Sequence, residues 1–169
     1  MQRLVTPSAQ LSVRGLLTIH SAPSALRAHI DWAIQNILGS DAQLNWLPQP
    51  IMVGTFKSKC QWSAHGGSGA EIASTLRSWH YLNFEIIENH ENGGELFRFT
   101  PELGIHRAVT DLSGGVLLNE YAINNVMQNA FDEDSMREGF ALAMGAPWDA
   151  QLEKFRGVGM AEVARLHAI

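Results

Sequence analysis

The order of its amphipathic segments constrains the fold of this chain more than any other feature. Between residues 15 and 88 the sequence reads as strand, helix, strand, strand, helix, strand, and a helix-rich tail follows. Apolar residues recur at every second position in strands and at every third or fourth position in helices. This order predicts an α+β fold, in which a ferredoxin-like split βαβ antiparallel sheet carries both helices on one face and is extended by extra strands.

The first half of the pattern begins with a short apolar strand over residues 15–20. Ser21 or Ser24 then supplies an N-cap for a helix that ends at Gly39. Residues 44–47 and 52–62 are predicted as two strands, and the second of them alternates between apolar and polar side chains. The alternation predicts a sheet with one face in the core.

The second half begins with Ser68 and Glu71, whose spacing predicts a capping box at the start of the next helix. A strand over residues 83–88 follows, and Asn92-Gly93 predicts a hairpin into residues 96–99. One more strand is expected over residues 105–110. These strands extend the sheet beyond its first four members.

The tail from residue 113 onward is predicted to be helical. Asn119 is expected to cap one helix, and Asp132 or Asp134 the next, which ends at Gly145. A third helix is expected to open at Pro147 and to end before Gly157. Because short helices are marginal alone, each needs cover from the sheet, its neighbours or a partner.

These boundaries predict a flexible N-terminal arm over residues 1–14 and an α+β domain over residues 15–112. A C-terminal helical region over residues 113–169 is expected to pack on the same domain. Since two helices cover only one side of a sheet, the second face carries residues such as Leu16, Thr18 and His20. We expect function at that face.

The amino-acid composition and net charge limit the classes of molecule that the protein is expected to bind. The chain has 169 residues, of which 46% are hydrophobic, so one sizeable core is expected. The net charge of −5, with 12 lysines and arginines and no basic run, disfavours nucleic acid. A single cysteine, Cys60, cannot form an internal disulfide and favours the cytoplasm. No segment approaches the roughly 20 apolar residues of a membrane span, so no membrane association is expected.

The glycine-rich loop before the second helix is a candidate anion site, formed by His65, Gly66, Gly67, Ser68 and Gly69. Backbone N–H groups and the helix dipole at a helix N-terminus attract phosphates and carboxylates. The loop lacks the lysine of a P-loop and the spacing of a dinucleotide motif. The alternative interpretation is a tight turn before a capped helix.

Metal, cofactor and catalytic residues are not predicted. The seven histidines fall on different predicted elements, and no second cysteine accompanies Cys60. Convergence of His20 and His80 with Glu85 or Asp111 in the folded chain is the alternative. Cys60 itself is interpreted as a core residue.

Trp32 points away from the apolar stripe of its predicted helix, and His29 lies one turn earlier. The preferred interpretation is that the C-terminal helices cover Trp32 through Trp148 or Phe155. The alternative is a protein interface, because exposed aromatic side chains mark contacts. The candidate interface residues are therefore His29, Trp32, Trp148 and Phe155.

Several short stretches, in order along most of the chain, resemble an uncharacterised actinobacterial family, domain-of-unknown-function family 3145. They are Gly15 with His20 to Pro23, Trp32-Ala33, Leu76 to His80, Phe84-Glu85, Thr100 to Ile105, Pro147 to Asp149, Leu152-Glu153 and Phe155-Arg156. The resemblance implies no established activity, cofactor or catalytic residue, and it implies a setting beside type II fatty-acid synthesis. The chain departs from the family in a longer N-terminal arm and in the glycine-rich loop.

Together these observations predict a non-catalytic accessory or regulatory protein that binds another protein, linked through the resemblance to type II fatty-acid synthesis. One alternative is a binding domain for a small molecule, such as acyl-CoA, a nucleotide or another anion, or an unrecognised enzyme. That alternative uses the open sheet face or the glycine-rich loop. A homo-oligomer that associates through the uncovered face is the third.

Overall fold

A computed structural model describes the backbone of residues 12–166 and the side chains of residues 12–157. The strands are β1 (Ser12–Pro23), β2 (Leu47–Pro48), β3 (Thr55–His65), β4 (Asn83–His90), β5 (Gly93–Thr100), β6 (Gly104–Thr110) and β7 (Val116–Leu117). The α-helices are α1 (Arg27–Leu38), α2 (Ser68–Leu76), α3 (Glu120–Asn129), α4 (Glu133–Met144) and α5 (Ala146–Leu166). Most of the predicted arm lies outside the described residues, but β1 already includes residues 12–14.

The strands form one antiparallel sheet in the order β2-β3-β1-β4-β5-β6-β7. The predicted α+β class is confirmed. β3 lies between β1 and β2, the insertion that defines a split βαβ unit. Because β2 has only two residues, the finer ferredoxin-like assignment stays a prediction.

The main core lies between one face of the sheet and helices α1 and α2. Alternate residues of the central strands point into it and meet the apolar stripes of both helices. Burial of each large apolar side chain contributes about 1.5–3 kcal/mol. Its members include Leu17, Ile19, Ile30, Ile34, Cys60, Trp62, Ile72, Leu76, Phe84, Ile86, Phe97 and Phe99.

A β-bulge in β1 changes which residues face the core. Ile19 pairs with Ser58 of β3, and Ala22 pairs with Phe56, so β1 has one residue more than its neighbour over this stretch. The pairing with β4 shifts at the same place. Ile19 before the bulge and Ala22 after it are both buried, while His20 points to the second face.

Helix α5 covers part of this second face. Leu152 and Phe155 are buried, and the Phe155 ring stacks on His20 with 5.7 Å between ring centres. The Trp148 indole N–H donates to the Gly104 carbonyl at 2.9 Å, which fixes the start of α5 against β6. The helix continues through Gly157 to Leu166, so the predicted end before Gly157 is wrong.

Helices α3 and α4 form a hairpin that precedes α5. The predicted caps are confirmed, because the side chain of Asn119 accepts from the Ala122 N–H and that of Asp132 from the Ser135 N–H, both at 2.8 Å. The helices approach closely at Gly139, where a Cβ would lie 2.8 Å from a methyl carbon of Val126. Gly145, with φ of 79°, ends α4 as predicted.

Three local predictions are wrong. β1 extends through Ser21 to Pro23 and a 3₁₀ turn over Ser24–Leu26 precedes α1, so neither serine caps that helix. β3 begins at Thr55, because residues before it form a turn that the Thr55 N–H closes onto the Met52 carbonyl at 3.1 Å. The strand expected at residues 44–47 is reduced to Leu47–Pro48.

Candidate functional site

A row of polar side chains crosses the second face of the sheet. The strand register places Lys59 opposite Thr18, Thr18 opposite Glu85, Glu85 opposite Arg98 and Arg98 opposite His106. Directly opposed residues on neighbouring strands lie close enough for their side chains to interact. The row therefore brings polar residues from five strands onto one surface.

Glu85 is the centre of this row. Its carboxylate accepts hydrogen bonds from His20 Nε2 at 2.7 Å, Arg98 Nε at 3.2 Å and Arg156 Nη2 at 2.5 Å. The three donors come from β1, β5 and α5. Because a carboxylate can only accept, Nε2 of His20 carries the proton in this contact.

The network extends along α5 through Asp149 and Glu153. Arg156 Nη1 donates to Asp149 Oδ1 at 2.8 Å and to Glu153 Oε2 at 2.9 Å. Arg98 Nη2 also lies 2.9 Å from Asp149 Oδ1. Charge-assisted hydrogen bonds therefore hold α5 onto the sheet alongside its apolar contacts.

The electrostatics of Glu85 follow from two opposing effects. Burial by itself raises the pKa of a carboxyl group, but the hydrogen bonds and positive charges of His20 and Arg156 outweigh it and lower the pKa of Glu85 to about 2. Burial of Arg156 opposes its charge, yet Glu85, Asp149 and Glu153 raise its pKa above the ordinary value. Both groups are therefore charged at neutral pH.

An open groove with a volume of about 340 Å³ lies beside this network. Its lining combines apolar residues with both signs of charge. Within the part of the chain that the structure describes, no carboxylate lies within ion-pair distance of Lys59, and His20 Nδ1 has no hydrogen-bond partner. The lining residues are Leu16, Thr18, His20, Lys59, Glu85, Ile87, Leu96, Arg98, Gly114, Asp149 and Arg156.

At the glycine-rich loop, a carboxylate of the protein itself accepts the backbone hydrogen bonds that were predicted to hold an anion. Glu88 is fully buried, and its carboxylate accepts from the N–H groups of Gly67 at 2.7 Å and Gly69 at 2.6 Å. His90 Nε2 lies 3.1 Å from the same carboxylate. The carboxylate of Glu88 therefore takes the anion position at the start of α2.

The remaining loop residues make local contacts. The Ser68 hydroxyl donates to the His65 carbonyl at 2.8 Å, whereas Gly67 is the N-cap of α2. The predicted capping box is therefore wrong, because Glu88 supplies the capping carboxylate from another strand. His65 and Gly66 are exposed, and anion binding by this loop stays a prediction.

The candidate interface residues separate into two groups. Trp32 is 68% exposed, and His29 is exposed beside it on α1. Trp148 and Phe155 are buried between α5 and the sheet. The expectation that they cover Trp32 is wrong, because α1 and α5 lie on opposite faces of the sheet. An interface at His29 and Trp32 stays a prediction.

Of the histidines and carboxylates weighed for convergence, His20 and Glu85 meet. His80 is exposed, and the Asp111 carboxylate accepts from Ser113 and Gly115 within its own turn. Sequence reasoning missed Arg98, Asp149 and Arg156. The available signal was the spacing of Asp149, Glu153 and Arg156, which places three charged residues on one face of a helix.

A second feature is the surface of the α3–α4 hairpin. It carries seven exposed or half-exposed apolar side chains, here called the hairpin surface: Tyr121, Ile123, Met127, Phe131, Met136, Leu142 and Met144. Residues 119–145 contain five carboxylates, Glu120, Asp132, Glu133, Asp134 and Glu138, and one basic residue, Arg137, a net charge of −4. The hairpin therefore combines exposed apolar area with a net charge of −4, against −5 for the whole chain.

No group of three or more histidines, cysteines, aspartates and glutamates that could hold a metal ion occurs among the residues that the structure describes. No helix in the described part of the chain has the length and apolar character needed to cross a membrane.

The chain matches a known protein family over most of its length. A family model described as a protein of unknown function (DUF3145) matches residues 16–168. No curated protein and no solved structure matches the chain.

Proposed function

Since the chain belongs to this family, whose description assigns no function, we propose from its geometry that the protein binds another protein as a non-catalytic accessory or regulatory factor. The binding site is the hairpin surface. The observation that carries the proposal is Phe131, a phenylalanine that is 88% exposed between two capped helices. Exposed apolar side chains that are concentrated on one part of a folded domain favour an interaction site there.

The backbone holds Phe131 in a defined position. Its N–H donates to Ser135 Oγ at 3.1 Å, and the Asp132 N–H donates to the same hydroxyl at 3.0 Å. A backbone segment that is already fixed loses little conformational freedom when a partner binds there. Exposed aromatic residues on such rigid elements are typical anchors of protein interfaces.

The exposed apolar side chains of the hairpin are not needed for the stability of its core. Val126 is the buried residue of α3, and α4 has none. Each apolar side chain that a partner covers contributes about 1.5–3 kcal/mol before the costs of association. A partner that covers the hairpin surface therefore gains affinity without disturbing the main core.

The charge of the hairpin defines its partner further. The hairpin has a net charge of −4 over residues 119–145. It therefore favours a partner whose contact surface has an apolar centre and a basic rim. A cytoplasmic location, supported by the single Cys60, and a setting beside type II fatty-acid synthesis, implied by the family resemblance, are parts of the same proposal.

Quantitative affinity capture from native cells tests this proposal. The protein, its Phe131→Asp variant and its Tyr81→Asp variant are used as baits under the same mild conditions. Tyr81 is a matched control, because it is 73% exposed in the loop between α2 and β4. We expect at least one protein to be enriched by the original chain and by Tyr81→Asp, and lost with Phe131→Asp. Equal enrichment by all three baits, or no enriched protein, contradicts the proposal.

A further inference from the structure

We propose that the groove beside α5 binds a small organic monoanion, whose carboxylate contacts Lys59 and whose short apolar part lies on Leu16, Ile87 and Leu96. This site is on the second face of the sheet and does not depend on the hairpin surface. The inference rests on the uncommitted charge of Lys59 and on the size and lining of the groove.

Lys59 differs from the other two cations of the groove lining, Arg98 and Arg156. The guanidinium groups of Arg98 and Arg156 are held by Glu85 and Asp149, and Arg156 also by Glu153. Among the described residues, the ammonium group of Lys59 has no such carboxylate. It projects from β3, directly opposite Thr18 on β1. An incoming anion therefore does not have to displace an existing ion pair.

The charge balance of the lining favours a single negative charge. Lys59, Arg98 and Arg156 carry three positive charges, and Glu85 and Asp149 carry two negative charges, so these five side chains of the lining have a net charge of +1. A monocarboxylate balances this charge. A phosphate dianion exceeds it and lies near the carboxylates of Glu85 and Asp149, where like charges repel.

The other side of the groove is apolar. Leu16 of β1, Ile87 of β4 and Leu96 of β5 lie on neighbouring strands, paired as Leu16 with Ile87 and Ile87 with Leu96. Side chains paired in this way form a continuous apolar strip across the sheet. A volume of about 340 Å³ is at the lower end for small-molecule sites, which suits a short-chain acid.

Thr18 and His20 add polar contacts between the two sides. Both residues point from β1 into the groove. The Thr18 hydroxyl can donate to a carboxylate, and His20 Nδ1 can form a hydrogen bond with a ligand hydroxyl, which both donates and accepts, while Nε2 donates to Glu85. A small acid that also carries a hydroxyl group therefore matches the groove better than a plain one.

Isothermal titration of the full chain tests this site with hexanoate as the probe. Hexylammonium, hexanol and inorganic phosphate serve as ligands of opposite, zero and higher charge. Lys59→Gln removes the proposed contact, and Arg14→Gln removes an exposed cation from the same sheet face outside the groove. Ile87→Trp fills the apolar side at a position that is 38% exposed, so the fold should tolerate it.

We expect saturable hexanoate binding that Lys59→Gln weakens about two- to fivefold, as loss of an exposed charge pair would. Arg14→Gln should leave this affinity unchanged, and Ile87→Trp should abolish binding. The other three probes should bind more weakly than hexanoate. Absence of saturable hexanoate binding, or binding that Lys59→Gln and Ile87→Trp leave intact, overturns the inference. Neither result bears on the hairpin surface.

Discussion

Glu85 Oε2 lies 2.7 Å from His20 Nε2, and this contact joins the bulge of β1 to the centre of the polar network. The same carboxylate accepts from arginines of β5 and α5. One half-buried acid therefore connects two strands of the sheet with the helix that covers its second face. The contribution of Glu85 to stability, and its dependence on pH, can be measured by replacing this residue.

Replacement of Glu85 should change how stability depends on pH. The pKa of Glu85 is about 2 in the folded protein, against an ordinary value of 4.5, so the unfolded chain binds this proton more readily. Its contribution is therefore present above pH 4.5 and is lost as pH falls toward 2. At 1.36 kcal/mol per pKa unit, a shift of this size corresponds to about 3 kcal/mol.

We therefore expect Glu85→Gln to be less stable than the original chain by about 3 kcal/mol at pH 7, and the difference to shrink as pH falls from 4.5 to 2. Urea denaturation at several pH values measures it. Glu138→Gln, at an exposed position of α4, is the control and should leave the free energy of unfolding nearly unchanged. An equal loss at pH 7 and pH 2 would argue against this role of Glu85.

The same substitution should have opposite effects at two helical glycines. A Cβ at Gly69 would lie 2.9 Å from Glu88 Oε2, whereas a Cβ at Gly157 would meet no atom of the described residues within 4 Å. Gly157→Ala should therefore stabilise the protein by about 0.5–1 kcal/mol through helix propensity. Gly69→Ala should destabilise it by about 1–3 kcal/mol, because the carboxylate must move. Thermal unfolding measures the direction of both changes in stability. If both substitutions stabilise the protein, the placement of Glu88 is contradicted.

Removal of the Glu88 carboxylate should destabilise the protein, because this carboxylate caps the N-terminus of α2. Glu88→Ala leaves the N–H groups of Gly67 and Gly69 without their charged acceptor. We expect a loss of about 3 kcal/mol, since hydrogen bonds to charged groups contribute roughly 1.5–3 kcal/mol each. Amide hydrogen exchange at Gly67 and Gly69 should also accelerate. Glu91→Ala, in the exposed turn that follows β4, should change neither quantity.

Gly15 and Trp62 should behave as a coupled pair. They are directly opposed on β1 and β3, and a Cβ at Gly15 would lie 2.1 Å from the indole ring of Trp62. Gly15→Ala should cost about 1–3 kcal/mol through overpacking. The same change should cost much less in a Trp62→Leu background, where the ring is absent. A double-mutant cycle measures this coupling, and additive losses would contradict the contact.

The sequence predicted the features that local patterns encode. Alternation and helical spacing located the long strands and the helices, and the caps at Asn119 and Asp132 depend on residues only three positions apart. The Asn92-Gly93 turn correctly indicated the hairpin of β4 and β5. These signals are local, so a single sequence contains them.

Features that depend on distant residues were not predictable in the same way. The cap of α2 comes from Glu88, about 20 residues after the loop that it caps. The partners Glu85 and Arg156 are 71 positions apart. Ser21 was predicted as a helix cap but lies in the β1 bulge. The bulge is defined by the pairing of β1 with β3 and β4, which are distant in sequence. Local spacing does not record such contacts, and the candidate site consists mainly of them.

Site-specific photo-crosslinking tests the proposed protein-binding function most directly. A photoreactive phenylalanine analogue replaces Phe131 in one variant and Tyr81 in another, and both are irradiated in intact native cells. Because Phe131 is the most exposed aromatic anchor of the hairpin surface, we expect a discrete adduct with a different protein from that position and none from Tyr81. No adduct from Phe131, or an adduct with a second copy of this chain alone, would contradict the account.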